Sequence, residues 1–340
     1  MPGPNATVTE RKKVRGYLDG CFDIMHSGHY SAMRQAKAQC DVLIVGVYAD
    51  RDIIPDKALP VMKQEERYAF LKHLKWVDEV LYGVPVVPTK EFLDTIKADF
   101  CIHGDNMPVN GGGRCAYDDL RDAGRLRVIK RTDCVTVTDL VGRLLVQTRD
   151  HLTGPRIDDG LDVATRQILS APGSPICLAT DLVINSAASS PRMISTSPTS
   201  SRKVSIETIK AYIDGAFDVF NVGHAATLEK AKACGTYLIV GVFDDRTVNE
   251  MKGCNYPVMN LGERVLNVCA CKHVDDVVIG APLDVTEEFL RSLNIRVVVQ
   301  GSQTLHPSSE VPCDERGVAS SHLSLLSLII RFSFPALTGS

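Results

Sequence analysis

Apolar residues recur along the chain in short blocks divided by charged, periodic stretches, and that alternation sets the expected elements. The run Asp41-Val42-Leu43-Ile44-Val45-Gly46-Val47 is apolar at nearly every position, as a strand covered on both faces must be. Residues 14–18, 77–81, 100–103 and 126–129 read as shorter strands of the same kind. Between and after them, residues 31–38, 63–74, 90–98, 116–123 and 138–149 have the spacing of amphipathic helices. Strands alternating with helices predict an α/β fold with a mainly parallel sheet.

The rhythm breaks at 151–203, where Ser, Thr and Pro dominate residues 186–201. Such a stretch buries little apolar surface, so a flexible linker is expected. The first pattern then restarts. Residues 214–224, Asp-Gly-Ala-Phe-Asp-Val-Phe-Asn-Val-Gly-His, lie over 19–29 at an offset of 195, and Lys252 lies over Lys57 at that same offset. Pro257-Val258-Met259 lies over Pro60-Val61-Met62 at an offset of 197, and Glu263-Arg264 and Glu288-Phe289-Leu290 match Glu66-Arg67 and Glu91-Phe92-Leu93. A repeat this long marks two homologous domains and not a solenoid, whose period is far shorter. The expected organisation is a loose tail (1–13), a first domain (14–150), the linker (151–203) and a second, degenerate domain (204–332).

A chain of 340 residues has room for two domains, and 44% hydrophobic with 23% charged residues fits soluble globular protein. A net charge of -3 gives no basic surface for nucleic acid. Eleven cysteines stand in a chain whose first residues lack a signal-like apolar run, and no pair of C-x-x-C motifs is present for zinc. Reduced thiols in the cytoplasm are expected. No stretch is long enough to span a bilayer; the nearest, 323–334, is short and contains Arg331.

The candidate chemistry lies in residues 17–29, where a short strand turns on Gly20 and two histidines, His26 and His29, flank Ser27-Gly28 at a helix start. Backbone N–H groups, a helix tip and imidazoles around one point suit a phosphate. The spacing alone also fits capping or packed histidines, and a metal pair would lack a carboxylate companion, so no metal ligand is assigned. Asp23 alone could be a helix cap, Lys57 a solvated loop lysine and Tyr117 a packing residue.

The string Gly20-x-Phe22-Asp23-x-x-His26-x-Gly28-His29 resembles the signature of the nucleotidyltransferase superfamily that contains the cytidylyltransferases. Lys57, the segment Gln64-Glu65-Glu66-Arg67-Tyr68, the strand Trp76-Val77-Asp78-Glu79-Val80 and the motif 131–138 resemble the branch acting on phospho-alcohols. Two such domains in one chain are similar to the tandem form of that branch. The resemblance implies two tandem Rossmann-like nucleotidyltransferase domains with mainly parallel sheets. It also implies transfer of CMP from CTP, carried with Mg2+, to phosphoethanolamine. His26 and His29 would hold the triphosphate, and Lys57 and Arg131 would neutralise phosphate charge. Gly20, Cys21, Phe22, His103, Gly104, Asp105, Thr132, Thr136 and Thr138 would line the nucleotide. Asp23, Lys57 and Tyr117 would meet the phospho-alcohol, with Asp23 facing its ammonium. Val86 stands where the choline branch has a tryptophan, which removes part of an aromatic cage and favours a primary ammonium.

Departures from the pattern are as informative. Cys134 and Val137 replace a glycine and a hydroxyl residue of the motif. In the second domain Asn221 replaces the first histidine, and Gln300-Gly301-Ser302 stands for His103-Gly104-Asp105. The chain after Gln300 is short by about a helix and a strand, so the second domain is expected to be inactive, with Ala216, Phe217, His224 and Lys252 as remnants. An intramolecular pairing of the two domains, in the manner of a homodimer, is expected, and a homodimer of the whole chain is left open. The departures also leave open a nucleotide-binding regulator without turnover, and an enzyme for another phospho-alcohol such as phosphocholine or glycerol phosphate.

Overall fold

A computed structural model describes residues 11–53, 60–107, 115–131, 136–146, 192–195, 208–301 and 328–332. These fall into two compact units. The first takes its residues from 1–21, 32–60 and 76–131, and the second from 22–31, 61–75 and 132–340. The division therefore cuts through the first repeat.

The first unit is built on a parallel sheet of β1 (Arg15–Gly20), β2 (Val42–Val47), β3 (Glu79–Tyr82), β4 (Phe100–Gly104) and β5 (Leu126–Ile129), in the order β3-β2-β1-β4-β5. The order reverses between β1 and β4, so their carboxyl ends flank the switch point where α/β sheets bind ligands. β2 is buried along most of its length, as its unbroken apolar run requires. Tyr17, Ile44, Leu93, Cys101 and Leu120 share one core cluster. A Cβ at Gly46 would collide with the Tyr17 hydroxyl and Val84, so only glycine admits the tyrosine there.

The second unit carries the repeat of that sheet: β7 (Lys210–Gly215), β8 (Tyr237–Val242), β9 (Asp276–Ile279) and β10 (Val297–Gly301), all parallel. Two strands depart from the expected pattern. β6 (Arg192–Ser195) lies within the expected linker and pairs antiparallel with β9. β11 (Leu328–Phe332) pairs parallel with β10, the place that β5 holds beside β4. The strand expected to be missing is thus present, drawn from residues near the end of the chain.

The second unit also contains α3 (Gln64–Leu71) and α6 (Val137–Val146) of the first repeat, with α7 (Val222–Ala233), α8 (Asp245–Lys252) and α9 (Leu261–Ala270) of the second. Just past α3, Leu74 forms an antiparallel bridge with Cys271, its own counterpart at the 197-residue offset. The flanking bonds obey the same local twofold: Lys75 N donates to Ala270 O at 3.0 Å, and Lys272 N to His73 O at 2.7 Å. Tyr30 donates its hydroxyl to Asn267 Oδ1 at 2.9 Å, and Phe70 meets Phe220 edge-on. Arg143 of α6 forks onto both Glu263 oxygens at 2.7 and 3.0 Å, a pair largely shielded from water.

Candidate active site

In the second unit the chain enters α1 (Ser27–Lys37) through Phe22 and Ile24, both non-glycine residues with positive φ (52° and 29°). Such backbone costs about 1–3 kcal/mol per residue and persists where surrounding structure fixes it. The turn places the His26 and His29 rings 3.9 Å apart, centroid to centroid, with the edge of Phe22 against His29. His26 Nδ1 accepts from Gly28 N at 3.1 Å, which puts the proton of a neutral His26 on Nε2. Burial, and then the neighbouring His26, hold His29 well below the usual imidazole range, so it is neutral at physiological pH. The pair can donate hydrogen bonds without bringing a second buried charge.

Asp23 does something other than expected. Its two oxygens accept Val61 N at 2.8 Å and Met62 N at 2.9 Å. Its counterpart Asp218 accepts Val258 N at 2.8 Å and Met259 N at 2.9 Å. The same clamp in both repeats makes Asp23 a fastener of the turn, and its expected contact with a substrate ammonium is withdrawn.

Thr136 precedes α6, and its hydroxyl donates to Asp139 Oδ2 at 2.7 Å and accepts Asp139 N at 3.2 Å. Those bonds, backed by the charges of Arg143 and His26, keep the Asp139 carboxyl low. The Thr136 hydroxyl therefore caps the helix, whereas Thr138 is exposed on the first turn. Val137, where the motif loses a hydroxyl, packs on the cluster of Ile24, Leu140 and Met259.

In the first unit Gly20 ends β1 and Cys21 follows it, and His103 and Gly104 end β4. His103 Nδ1 donates to Gly104 O at 2.9 Å, and its ring lies 4.5 Å from Tyr117. Asp105 Oδ1 accepts Arg131 N at 3.2 Å, and the Arg131 side chain is exposed. Lys57 and Thr132, with Cys134, lie outside the described residues.

The first unit also holds a residue that the motifs do not mark. Asp19, near the end of β1, is buried, and neither carboxylate oxygen closes a hydrogen bond of ordinary geometry. Burial pushes its carboxyl up to about 7, although the Tyr48, Tyr17 and Tyr117 hydroxyls favour its charged form. Those phenols are themselves pushed up, mainly by burial, and stay protonated. Tyr48 and Tyr117 both reach the Val86 carbonyl, at 3.4 and 3.5 Å. A buried, nearly titrating carboxylate with hydroxyls around it can accept a small cation, which makes Asp19 a candidate site residue. The signal available in the sequence is Asp19 two residues after Tyr17; only sheet pairing and loop closure bring in Tyr48 and Tyr117.

The second repeat keeps the turn and has asparagine in place of the first histidine. Phe217 and Val219 hold the same positive φ (49° and 46°). Asn221 accepts Gly223 N at 2.9 Å and His224 N at 3.3 Å, a plain helix cap where His26 has an imidazole. His224 stacks on Phe220 at 5.4 Å, and burial, then Lys252, hold it down to about 4. Asp214 repeats Asp19, pushed up by burial to about 6, but Phe243 occupies the place of Tyr48. Arg264, fully buried, donates to the carbonyls of Ala216, Phe243 and Met259 and to Asp245, an interior brace.

The pattern that defines the cytidylyltransferase-like family matches residues 17–168 and 212–317, both repeats. An ethanolamine-phosphate cytidylyltransferase from Dictyostelium discoideum is 42% identical over 304 residues, 87% of this chain and 81% of the relative. One from Mus musculus is 38% identical, covering 88% of this chain and 78% of the relative. A choline-phosphate cytidylyltransferase from Arabidopsis thaliana is 38% identical over only 43% of this chain and 49% of its own length.

Proposed function

Because the chain belongs to the cytidylyltransferase-like family, we propose that its first repeat transfers CMP from CTP to phosphoethanolamine, forming CDP-ethanolamine for phosphatidylethanolamine synthesis. A phosphate oxygen of phosphoethanolamine attacks the α-phosphorus of CTP. The bond from that phosphorus to the β-phosphate bridge breaks, and its electron pair leaves with pyrophosphate. The nucleophile is already anionic, so positioning and charge stabilisation carry the catalysis and no general base is needed.

Within this reading His26, through Nε2–H, and His29 donate to the triphosphate as charge moves onto the leaving group. Lys57 and Arg131 neutralise phosphate charge. Gly20, Cys21, His103, Gly104, Asp105, Thr132 and Thr138 line the nucleotide. CTP enters as its magnesium complex, in which the metal screens the triphosphate; Mg2+ belongs to the substrate and no resident cage is assigned. Asp19, with Tyr17, Tyr48 and Tyr117, takes the ammonium. A primary ammonium satisfies a carboxylate and hydroxyls, whereas a quaternary one has no proton to donate.

The observation that carries the proposal is the imidazole pair on a left-handed turn, kept in the first repeat and replaced by an asparagine cap in the second. Its test is pyrophosphate release from CTP by the full chain with phosphoethanolamine, phosphocholine or glycerol phosphate. Turnover with phosphoethanolamine, lost in His26→Ala, is expected. CTP binding without turnover of any acceptor, or equal use of all three, would overturn it.

The second repeat serves as a built-in partner for the first, a role supported by the twofold-related bonds around Leu74 and Cys271. A monomer in light scattering is the expected outcome, and a dimer would show that a second chain is also required. The eight free cysteines among the described residues suit a reducing compartment, and we place the protein in the cytoplasm.

A further inference from the structure

Away from the histidine pair, three side chains of the second unit converge beside the Leu74–Cys271 bridge. His73 lies just past α3, His273 just past α9, and Glu229 on α7. His73 Nδ1 and His273 Nε2 are 2.9 Å apart, and Glu229 Oε1 is 3.8 Å from His273 Nε2. One ligating atom from each residue lies within 4.8 Å of the other two. Two nitrogens bound to zinc at about 2.0–2.1 Å in a tetrahedron stand roughly 3.3 Å apart, so a few tenths of an ångström of opening admits an ion.

We propose that His73, His273 and Glu229 bind one borderline-soft divalent cation of the zinc class, with solvent as the fourth ligand, and so clip together the two segments joined at Leu74 and Cys271. Two imidazoles and one carboxylate select zinc, cobalt or nickel over magnesium or calcium, which demand oxygen donors. Both imidazoles are held below their usual range, chiefly by burial, and are in the neutral form a metal needs. The Glu229 side chain is 57% exposed, which gives the ion a way in. Lys72, Lys232 and Lys272 also face the cluster and oppose a cation; Lys232 is paired with Asp275, and Glu229 offsets part of the rest. Neither histidine belongs to the repeat's shared pattern: their counterparts are Ala270 and Trp76.

The test uses the full chain, stripped by chelator and titrated with Co2+ and then Zn2+, with no nucleotide or acceptor present. One equivalent of Co2+ with visible absorption of the four-coordinate kind is expected, displaced by Zn2+, which raises the melting temperature by about 3–6 °C at saturation. His273→Gln should weaken cobalt binding at least about 100-fold and Glu229→Gln about 10-fold. The exposed Glu229→Gln variant keeps the test valid if the histidine variant does not fold. His26→Ala should bind cobalt as the parent does, which separates this ion from the nucleotide site. No uptake at one equivalent, uptake indifferent to both Gln variants, or uptake lost in His26→Ala would each overturn the proposal and leave a histidine pair that shares only a proton.

Discussion

At the end of β1 the chain turns through Phe22 and Ile24 in left-handed backbone, and at the end of β7 it does so through Phe217 and Val219. Asp23 and Asp218 clamp the two turns with bonds of matching length. Beyond the turns the repeats part: His26 stands beside His29 in one, and Asn221 caps a helix above His224 in the other. Asp23 and Asp218, which make the same clamp in both repeats, serve the fold, whereas His26, which only the first repeat has, belongs to the proposed transfer.

The largest effect that tests this division is on turnover. His26→Ala and His29→Ala should each lower kcat about 100- to 1000-fold, while His224→Ala should change it by less than about twofold. Steady-state pyrophosphate release measures both. Equal losses from His29 and His224 would erase the distinction between the repeats.

Stability should separate the repeats as well. Glu263 is shielded and accepts both arms of Arg143, whereas Glu66 at the same place in the first repeat is exposed and accepts the Lys63 backbone N–H at 3.2 Å. Urea denaturation should show Glu263→Ala costing on the order of 3 kcal/mol, because Arg143 keeps the Val258 carbonyl but loses its counter-charge. Glu66→Ala should cost under about 1 kcal/mol.

Asp19 and Asp214 sharpen the substrate assignment. Asp19→Asn should raise KM for phosphoethanolamine about 10- to 100-fold with KM for CTP little changed, and Asp214→Asn should leave both within about twofold. Ammonium binding needs the Asp19 carboxylate charged, and its carboxyl stands near 7 in place of 3.8. Parental KM for phosphoethanolamine should therefore rise as pH falls through 7, and Asp19→Asn should flatten that rise. The same raised carboxyl gives stability that is present below 3.8 and lost as pH climbs to about 7. Asp19→Asn should accordingly not destabilise the protein at pH 8. A variant less stable than the parent there would show that Asp19 braces the fold.

A small effect is also expected of Asn221→Ala, which removes a helix cap for about 1 kcal/mol and should leave turnover untouched. A thermal melt alongside the activity assay checks it.

Much of this is legible in the residues because burial writes itself into long apolar runs. β2 lies where the apolar run Val42–Val47 predicts it, and the repeat offset alone locates both turns. The parts that sequence does not show depend on partners distant in the chain. β6 is four residues, Arg-Met-Ile-Ser, with no alternation to announce it; the open edge of β9 makes it a strand. β11 gains its place from β10, which it joins in register from Val297↔Leu328 to Gly301↔Phe332. Asp19 reads as an ordinary strand end, since Tyr48 and Tyr117 approach it only in three dimensions. An acidic residue next to a binding motif suggests a ligand contact, as at Asp23, and its bonds to Val61 and Met62 cannot be foreseen from spacing.

The Leu74–Cys271 bridge has an evolutionary consequence. In an assembly of two identical chains, a residue on the axis faces itself, so every substitution there is imposed twice. Here one gene encodes both sides, and leucine now sits opposite cysteine. Each side can drift alone, and lopsided constellations such as His73 with His273 become accessible to selection without a matching change in the other half.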